Sequence, residues 1–165
     1  MKTKTQKIVI TSMLTALICI ATMAIKIPSP LKGYLNLGDG AVLLSGWLLS
    51  PVYGFFAAGL GSALADLFLG YAVYAPATFI IKGIMALSAC LIFKHLKTKV
   101  NKFLSFIISG IIAEILMVSG YYIFEGFMYG FIPSIVNILP NIIQGFAGLI
   151  VGIIITKIFE KIKIQ

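Results

Sequence analysis

From Ile8 to Ile25 the chain runs for 18 residues without a charged side chain, and stretches of the same kind recur to its end. A helix needs about 20 apolar residues, each rising about 1.5 Å, to cross the hydrocarbon of a bilayer. Hydrocarbon offers the backbone no hydrogen-bond partner but itself, so each such stretch predicts a spanning helix. The composition agrees: 60% of the 165 residues are hydrophobic and 11% charged, against about 25% charged in soluble domains. A soluble core of this size could not hide that much apolar surface. The expectation is an all-α integral membrane protein, a single transmembrane domain over residues 1–165.

Prolines, glycines and charges divide the chain into six segments. The first covers 8–27 and is closed by Pro28 and Pro30. A loop follows to Gly38, after which Asp39 is placed as the N-cap of a second helix over 40–50. That helix is short, about 16 Å at helical rise, because the Ser50-Pro51 step ends it. The third covers 52–69, the fourth 76–93 with Pro76 in its first turn, the fifth 102–124 and the sixth 131–158. The architecture predicted is a six-transmembrane-helix bundle.

All 13 basic residues are lysines, and they cluster at segment ends. Lys2, Lys4 and Lys7 precede the first helix, Lys94, Lys97, Lys99 and Lys102 join the fourth to the fifth, and Lys157, Lys161 and Lys163 close the chain. With six crossings these ten share one side, which the positive-inside rule makes the cytoplasm; both termini are expected there. Lys26 and Lys32 fall outside, and Lys82 lies within a helix. A net charge of +8 distributed in this way addresses anionic membrane lipid and not nucleic acid, whose readers lean on arginine forks. The basic start imitates a secretory signal, but the 8–25 run is long for one, so it is read as a retained helix. Cys19 and Cys90 sit in apolar runs without partners at metal spacing, and His95 sits among lysines as a solvated interfacial residue. No metal site or cofactor is expected in this chain.

The third helix carries a ladder of small residues, Gly54, Ala57, Ala58, Gly61, Ser62 and Ala65, and the first offers Ser12 and Ala16 at a spacing of four. Such stripes let backbones approach closely, either within the bundle or against another membrane subunit.

Ionisable side chains at membrane depth cost at least a few kcal/mol, so each needs a cavity or a partner. Asp66, Lys82, Glu114 and Glu125 are the groups in question. Lys82 lies about 9 Å below the outer start of the fourth helix, a depth similar to that of Asp66, and a structural Asp66–Lys82 ion pair is expected. Glu114, Val118, Tyr121 and Glu125 repeat on one face of the fifth helix. Asn137, Asn141 and Gln144 form a matching stripe on the sixth, where Pro140 leaves the Val136 carbonyl free. A water-filled pocket opening outward would satisfy these groups together; the alternative is hydrogen bonding between two packed helices with no ligand. Most outer tyrosines read as belt residues, with Tyr34 and Tyr121 best placed to stack on a flat ring.

No phosphate-cradling G-x-x-x-x-G-K-[ST] is present, nor G-x-S-x-G, H-E-x-x-H or C-x-x-C. No catalytic residue is assigned, and an enzyme is not expected. Energy from ATP would have to come through other subunits.

The stretches Gly33-Tyr-Leu-Asn-Leu-Gly-Asp39, Leu48-Leu-Ser-Pro-Val-Tyr-Gly54, Gly59-Leu-Gly-Ser-Ala-Leu-Ala-Asp66, Gly70-Tyr71 and Ala75-Pro-Ala-Thr-Phe-Ile-Ile-Lys-Gly83 resemble the substrate-binding S component of energy-coupling factor (ECF) transporters, vitamin importers of bacteria and archaea. The resemblance is specific over about residues 8–95. It implies a multi-pass protein of the cell membrane that binds a vitamin at the outer face and releases it inside by toppling. It also implies partners: a transmembrane T component and two ATPase subunits, which use ATP and Mg. The first helix of such proteins carries Ala-x-x-x-Ala for the T component, and this chain has Ser12-x-x-x-Ala16. Carried over by position, Tyr34, Asn36 and Asp39 belong to the lid loop and its exit. Lys82 falls on one pocket helix, and Glu114, Tyr121, Asn137, Asn141 and Gln144 fall on two others. The Gly-Tyr-…-Leu-Gly-Asp pattern is similar to members handling pyridoxine or hydroxymethylpyrimidine, with riboflavin or pantothenate as alternatives.

The function expected is therefore the substrate-binding membrane subunit of an ATP-driven importer. A stand-alone ion-coupled small-molecule carrier is the alternative; it would show paired broken helices and an acid relay, whereas only Glu114 is central and no two-fold repeat is visible.

Overall fold

The computed structural model describes residues 3–30 and 33–162; Lys2, Lys32 and Lys163 lie outside the described residues. Helix α1 (Lys4–Ala24) opens with a reciprocal cap: Thr3 Oγ1 accepts from Gln6 N–H at 3.2 Å while Gln6 Oε1 accepts from Thr3 N–H at 3.0 Å. Two short strands follow, β1 (Lys26–Pro28) and β2 (Tyr34–Asn36), antiparallel with Lys26 opposite Asn36 and Pro28 opposite Tyr34. The helices α2 (Gly38–Leu48), α3 (Pro51–Phe68), α4 (Ala75–Leu96) and α5 (Lys102–Tyr129) come next. The last segment is α6 (Phe131–Ser134), a 3₁₀ turn (Ile135–Asn137) and α7 (Ile138–Ile162).

The chain is an all-α membrane bundle. Among the described residues five helical spans are long and apolar enough to cross a bilayer, and the short α2 joins them, with every residue from Gly38 to Trp47 buried at the bundle centre. Burial is inverted relative to a soluble domain. Ile132 is 84% and Phe127 80% exposed, while Asp39 and Lys82 are 0% and 2% exposed. Apolar side chains thus form the outer surface, as lipid contact requires.

Two expectations about local structure are corrected. The loop after the first helix carries a hairpin, because residues flanking proline favour extended backbone and Pro28 sits at a strand end where its missing N–H does no harm. The sixth helix is not continuous. Pro140 falls in the first turn of α7, where its absent N–H had no partner to lose, and the 3₁₀ turn before it takes up the break.

The small-residue ladder of α3 is spent inside the bundle: Gly54, Ala57, Ala58, Gly61, Ser62 and Ala65 are all buried. A Cβ on Gly61 would meet the Thr15 carbonyl oxygen of α1 at 2.6 Å, so glycine sets that helix–helix distance. Ser12 and Ala16 lie exposed on α1. Thr22, near the other end of α1, reaches the polar hollow described below, which places Lys4 and Lys7 at the opposite end of the bundle. There the end of α4, the start of α5 and the end of α7 converge, with Lys157 Nζ 4.2 Å from the Phe103 ring centroid. His95 is exposed and its ring nitrogen lies 2.9 Å from Lys99 Nζ.

Candidate binding site

The hairpin sits over one end of the bundle and is tied down by its own strand residues. Tyr34 on β2 donates its hydroxyl to Asp66 Oδ1 of α3 at 2.6 Å, and its ring lies 4.7 Å from that of Tyr71. Two residues on, the Asn36 N–H donates to Gln144 Oε1 of α7 at 2.9 Å. The side chain of Tyr34 reaches α3 and the backbone of Asn36 reaches α7, so three residues bridge the two helices. Burial, and then the neighbouring Asp66 carboxylate, raises the Tyr34 hydroxyl above its ordinary pKa, so it remains a donor.

Beneath the hairpin lies a hollow lined by residues of α1, α3, α4, α5 and α7, among them Ser62, Thr78, Lys82, Tyr121, Asn141 and Gln144. Its floor is an ion pair between Lys82 Nζ and Asp39 Oδ1, both side chains almost fully buried. Gln144 Nε2 donates to the other Asp39 oxygen at 2.7 Å, so both carboxylate oxygens are occupied. Lys82 Nζ also lies 5.4 Å from the Tyr121 ring centroid, and Tyr121 donates to Thr78 Oγ1 at 3.1 Å. On the far wall Glu125 Oε1 accepts from Asn137 Nδ2 at 2.8 Å and from the Tyr74 hydroxyl at 3.4 Å. Burial, hydrogen bonding with Tyr129 and the nearby Glu125 raise the Tyr74 pKa.

Around this hollow several buried polar atoms have no hydrogen-bond partner among the described residues: Thr22 Oγ1, Ser62 Oγ, Asp66 Oδ2 and Glu125 Oε2, with Asn137 Oδ1 just behind. Orphaned polar atoms each cost about 1–3 kcal/mol, and native interiors hold few. Five around one hollow form a surface suited to a polar ligand. The free space is about 30 Å³, enough for about one water, whereas ligand sites hold about 300–1,000 Å³. In this conformation the hollow has room for water and not for a vitamin-sized molecule.

The structure gathers most of the sequence-predicted residues and redistributes the rest. Tyr34, Asn36, Lys82, Tyr121, Asn141 and Gln144 line the hollow; Asp39 lies behind Lys82, and Asn137 behind Glu125. The expected Asp66–Lys82 ion pair is replaced by Asp39–Lys82, because α2 runs through the bundle centre and delivers Asp39 to the lysine, while Tyr34 takes Asp66. Nor is Asp39 an N-cap. It sits in the first turn of α2, and Asn36 Oδ1 accepts from the Gly38 N–H at 2.9 Å.

Glu114 does not line the hollow. It faces an apolar lateral groove of about 300 Å³ between α5 and α7, with Ile111, Ile115, Val118 and Phe146, and neither carboxylate oxygen has a hydrogen-bond partner. Seven residues separate Glu114 from Tyr121, about 10 Å along the axis, which takes it to the level of Asp39 beside Gly148, turned to the groove. The hydroxyls of Thr22, Ser62 and Thr78 escaped sequence reasoning, since serine and threonine in apolar helices usually bond their own backbone. Tyr74 was hidden among the belt aromatics.

Apart from Glu114, the charged side chains buried in this membrane bundle converge on one polar hollow, a geometry suited to a small polar molecule. The family model for the ECF-type riboflavin transporter, S component, matches residues 2–161, and the chain belongs to that family of vitamin transporter substrate-binding subunits. An uncharacterized protein of Pyrococcus woesei is 34% identical over 136 residues, which cover 82% of this chain and 88% of that one. Among solved structures, the S component of a bacterial ECF transporter superposes with a TM-score of 0.74 at 24% identity, covering 99% of this chain and 100% of that one. The S-component for biotin from an ECF-type ABC transporter gives 0.67 at 19% identity, covering 97% and 95%. At those identities the two structures are similar in fold.

Proposed function

We propose that the chain captures a small water-soluble vitamin in the hollow beneath the hairpin and passes it inward as part of an ECF importer with a T component and two ATPases. The observation that carries this reading is the ring of buried polar atoms without partners among the described residues, under a hairpin that Tyr34 ties to α3 and Asn36 to α7. Riboflavin stands first among ligands, because the family model covering residues 2–161 is described by it. Pyridoxine and hydroxymethylpyrimidine, favoured by the resemblance around Gly33–Asp39, are smaller flat rings with the same need for polar partners, and pantothenate follows them. Tyr34 and Tyr121 flank the ring, while Lys82, Asn141, Glu125 and Gln144 read its substituents.

In this reading the hairpin faces outward and the lysine-rich end faces the cytoplasm of a bacterium or archaeon, in keeping with the positive-inside rule. Release follows toppling of the subunit in the membrane. The exposed Ser12 and Ala16 stripe of α1 is the surface for the T component, since small side chains let a partner helix approach closely. Calorimetric titration of the purified chain with riboflavin, pyridoxine, hydroxymethylpyrimidine, pantothenate and biotin tests the ligand assignment. Submicromolar binding of one vitamin is expected; nothing tighter than micromolar across the panel contradicts it.

A further inference from the structure

The hollow under the hairpin is layered in charge. At its floor Lys82 and Asp39 cancel, and Gln144 holds the second Asp39 oxygen. Two further acids lie against the hairpin, and neither has a cation within salt-bridge distance among the described residues. Asp66 accepts from the Tyr34 hydroxyl on one carboxylate oxygen. Glu125 accepts from Asn137 and Tyr74 on one of its own, and a Cβ on Gly33 of the hairpin would lie 3.7 Å from that oxygen. Both residues are 3% exposed. Among the described residues that line the hollow, Lys82 is the only base, and Asp39 already pairs with it.

The atoms left without partners have the same bias. Asp66 Oδ2, Glu125 Oε2 and Asn137 Oδ1 are unpartnered among the described residues, and a carboxylate or amide oxygen can only accept. The free hydroxyls of Thr22 and Ser62 serve either way. A ligand that matches this set brings N–H or O–H donors to α3 and α5 together. A ligand with a carboxylate brings acceptors to acceptors and a negative charge to buried acids. Contacts of that kind reject wrong partners.

We propose that the hollow selects by charge: it takes a neutral or cationic molecule rich in N–H and O–H groups, and Asp66 and Glu125 turn away vitamins that carry a carboxylate. The inference rests on the vitamin-binding reading and narrows it. Riboflavin, pyridoxine and hydroxymethylpyrimidine bear no carboxylate and stay within the class. Pantothenate and biotin each bear one and fall outside it.

Each vitamin that stays carries a hydroxymethyl group, so each has a matched analogue with a carboxylate in its place. These are pyridoxic acid for pyridoxine, the corresponding pyrimidine carboxylic acid for hydroxymethylpyrimidine, and riboflavin oxidised to the acid at the end of its ribityl chain. The purified full chain is titrated calorimetrically with all three pairs, and with pantothenate and biotin, and the affinity ratio within the pair that binds is read. The carboxylate should bind at least about a hundredfold more weakly than the alcohol. In Asp66→Asn/Glu125→Gln, which keeps both shapes and removes both acids, the ratio should fall below about tenfold. Each single variant should lower it at least about threefold, and the singles carry the test if the double variant does not fold. Glu114→Gln removes a buried acid outside the hollow and should leave the ratio within about twofold. Both members of a pair are measured in the same variant, so a general loss of affinity cancels. Equal binding of alcohol and carboxylate, submicromolar binding of pantothenate or biotin, or a ratio unmoved by the variants overturns charge selection and leaves vitamin capture standing. No binding by any vitamin overturns vitamin capture, and charge selection with it.

Discussion

Asp39 and Glu114 are carboxylates buried on either side of Gly148, and the bundle treats them in opposite ways. A Cβ on that glycine would meet Asp39 Cβ at 2.6 Å and Glu114 Oε1 at 3.1 Å. Asp39 faces the hollow and has Lys82 and Gln144 on its two oxygens. Glu114 faces the lateral groove with none on either. Both are buried carboxylates, so the difference comes from what each faces. The hollow is a region where polar groups are assembled; the groove is a region of carbon interrupted by a single acid.

The contrast can be broken most forcefully at Lys82. Lys82→Met strands Asp39 in low dielectric and should destabilise the chain by about 3–5 kcal/mol, whereas adding Asp39→Leu should recover most of the loss. Thermal unfolding of the three variants in detergent gives the cycle, and additive losses would show that the pair is not coupled. Gly148→Ala drives a methyl between the two carboxylates and should cost about 1–3 kcal/mol by overpacking, with vitamin affinity falling as Asp39 is pushed off Lys82. Tyr34→Phe removes the lid's hydrogen bond to Asp66, a loss of about 1.5–3 kcal/mol of lid closure if Asp66 is ionised, read as faster vitamin dissociation.

Tyr34 also sets a pH dependence. Its folded-state pKa is raised, so on going above about pH 10 the unfolded chain loses this proton first. The stabilisation is complete below that pH and is lost as pH rises further; Tyr34→Phe should flatten that alkaline limb. The smallest effect is expected at Glu114. Glu114→Gln breaks no hydrogen bond and removes a carboxylate from an apolar groove, so stability should change by less than about 1 kcal/mol or rise. A large loss would mean that the acid has an unrecognised partner.

The helical segments, the break at Pro51, the proline-led start at Pro76, and the gathering of Tyr34, Lys82, Tyr121, Asn141 and Gln144 at one end were legible from hydropathy, proline chemistry and lysine placement. Depth was legible too, but rotation about a helix axis was not. Counting residues put Asp66 at the level of Lys82, yet it could not show that α2 is the central helix and brings Asp39 to face the lysine. Glu114 shows the same limit: it lies level with Asp39 beside Gly148, but it is turned with Val118 to the lateral groove and not with Tyr121 to the hollow. The hairpin between Lys26 and Asn36 left almost no periodic signal, since three-residue strands beside prolines cannot display one.

The central claim is that the hollow under the hairpin, and not the larger apolar groove beside Glu114, receives the vitamin. Asn141→Trp fills the first and Ile115→Trp, at a 57% exposed position, fills the second. Calorimetric titration of both variants with the vitamin that the parent chain binds decides between them. Binding should vanish in Asn141→Trp and persist within about threefold in Ile115→Trp, less than about 0.7 kcal/mol; the opposite pattern would place the ligand in the groove and contradict the reading of the polar end as the binding site.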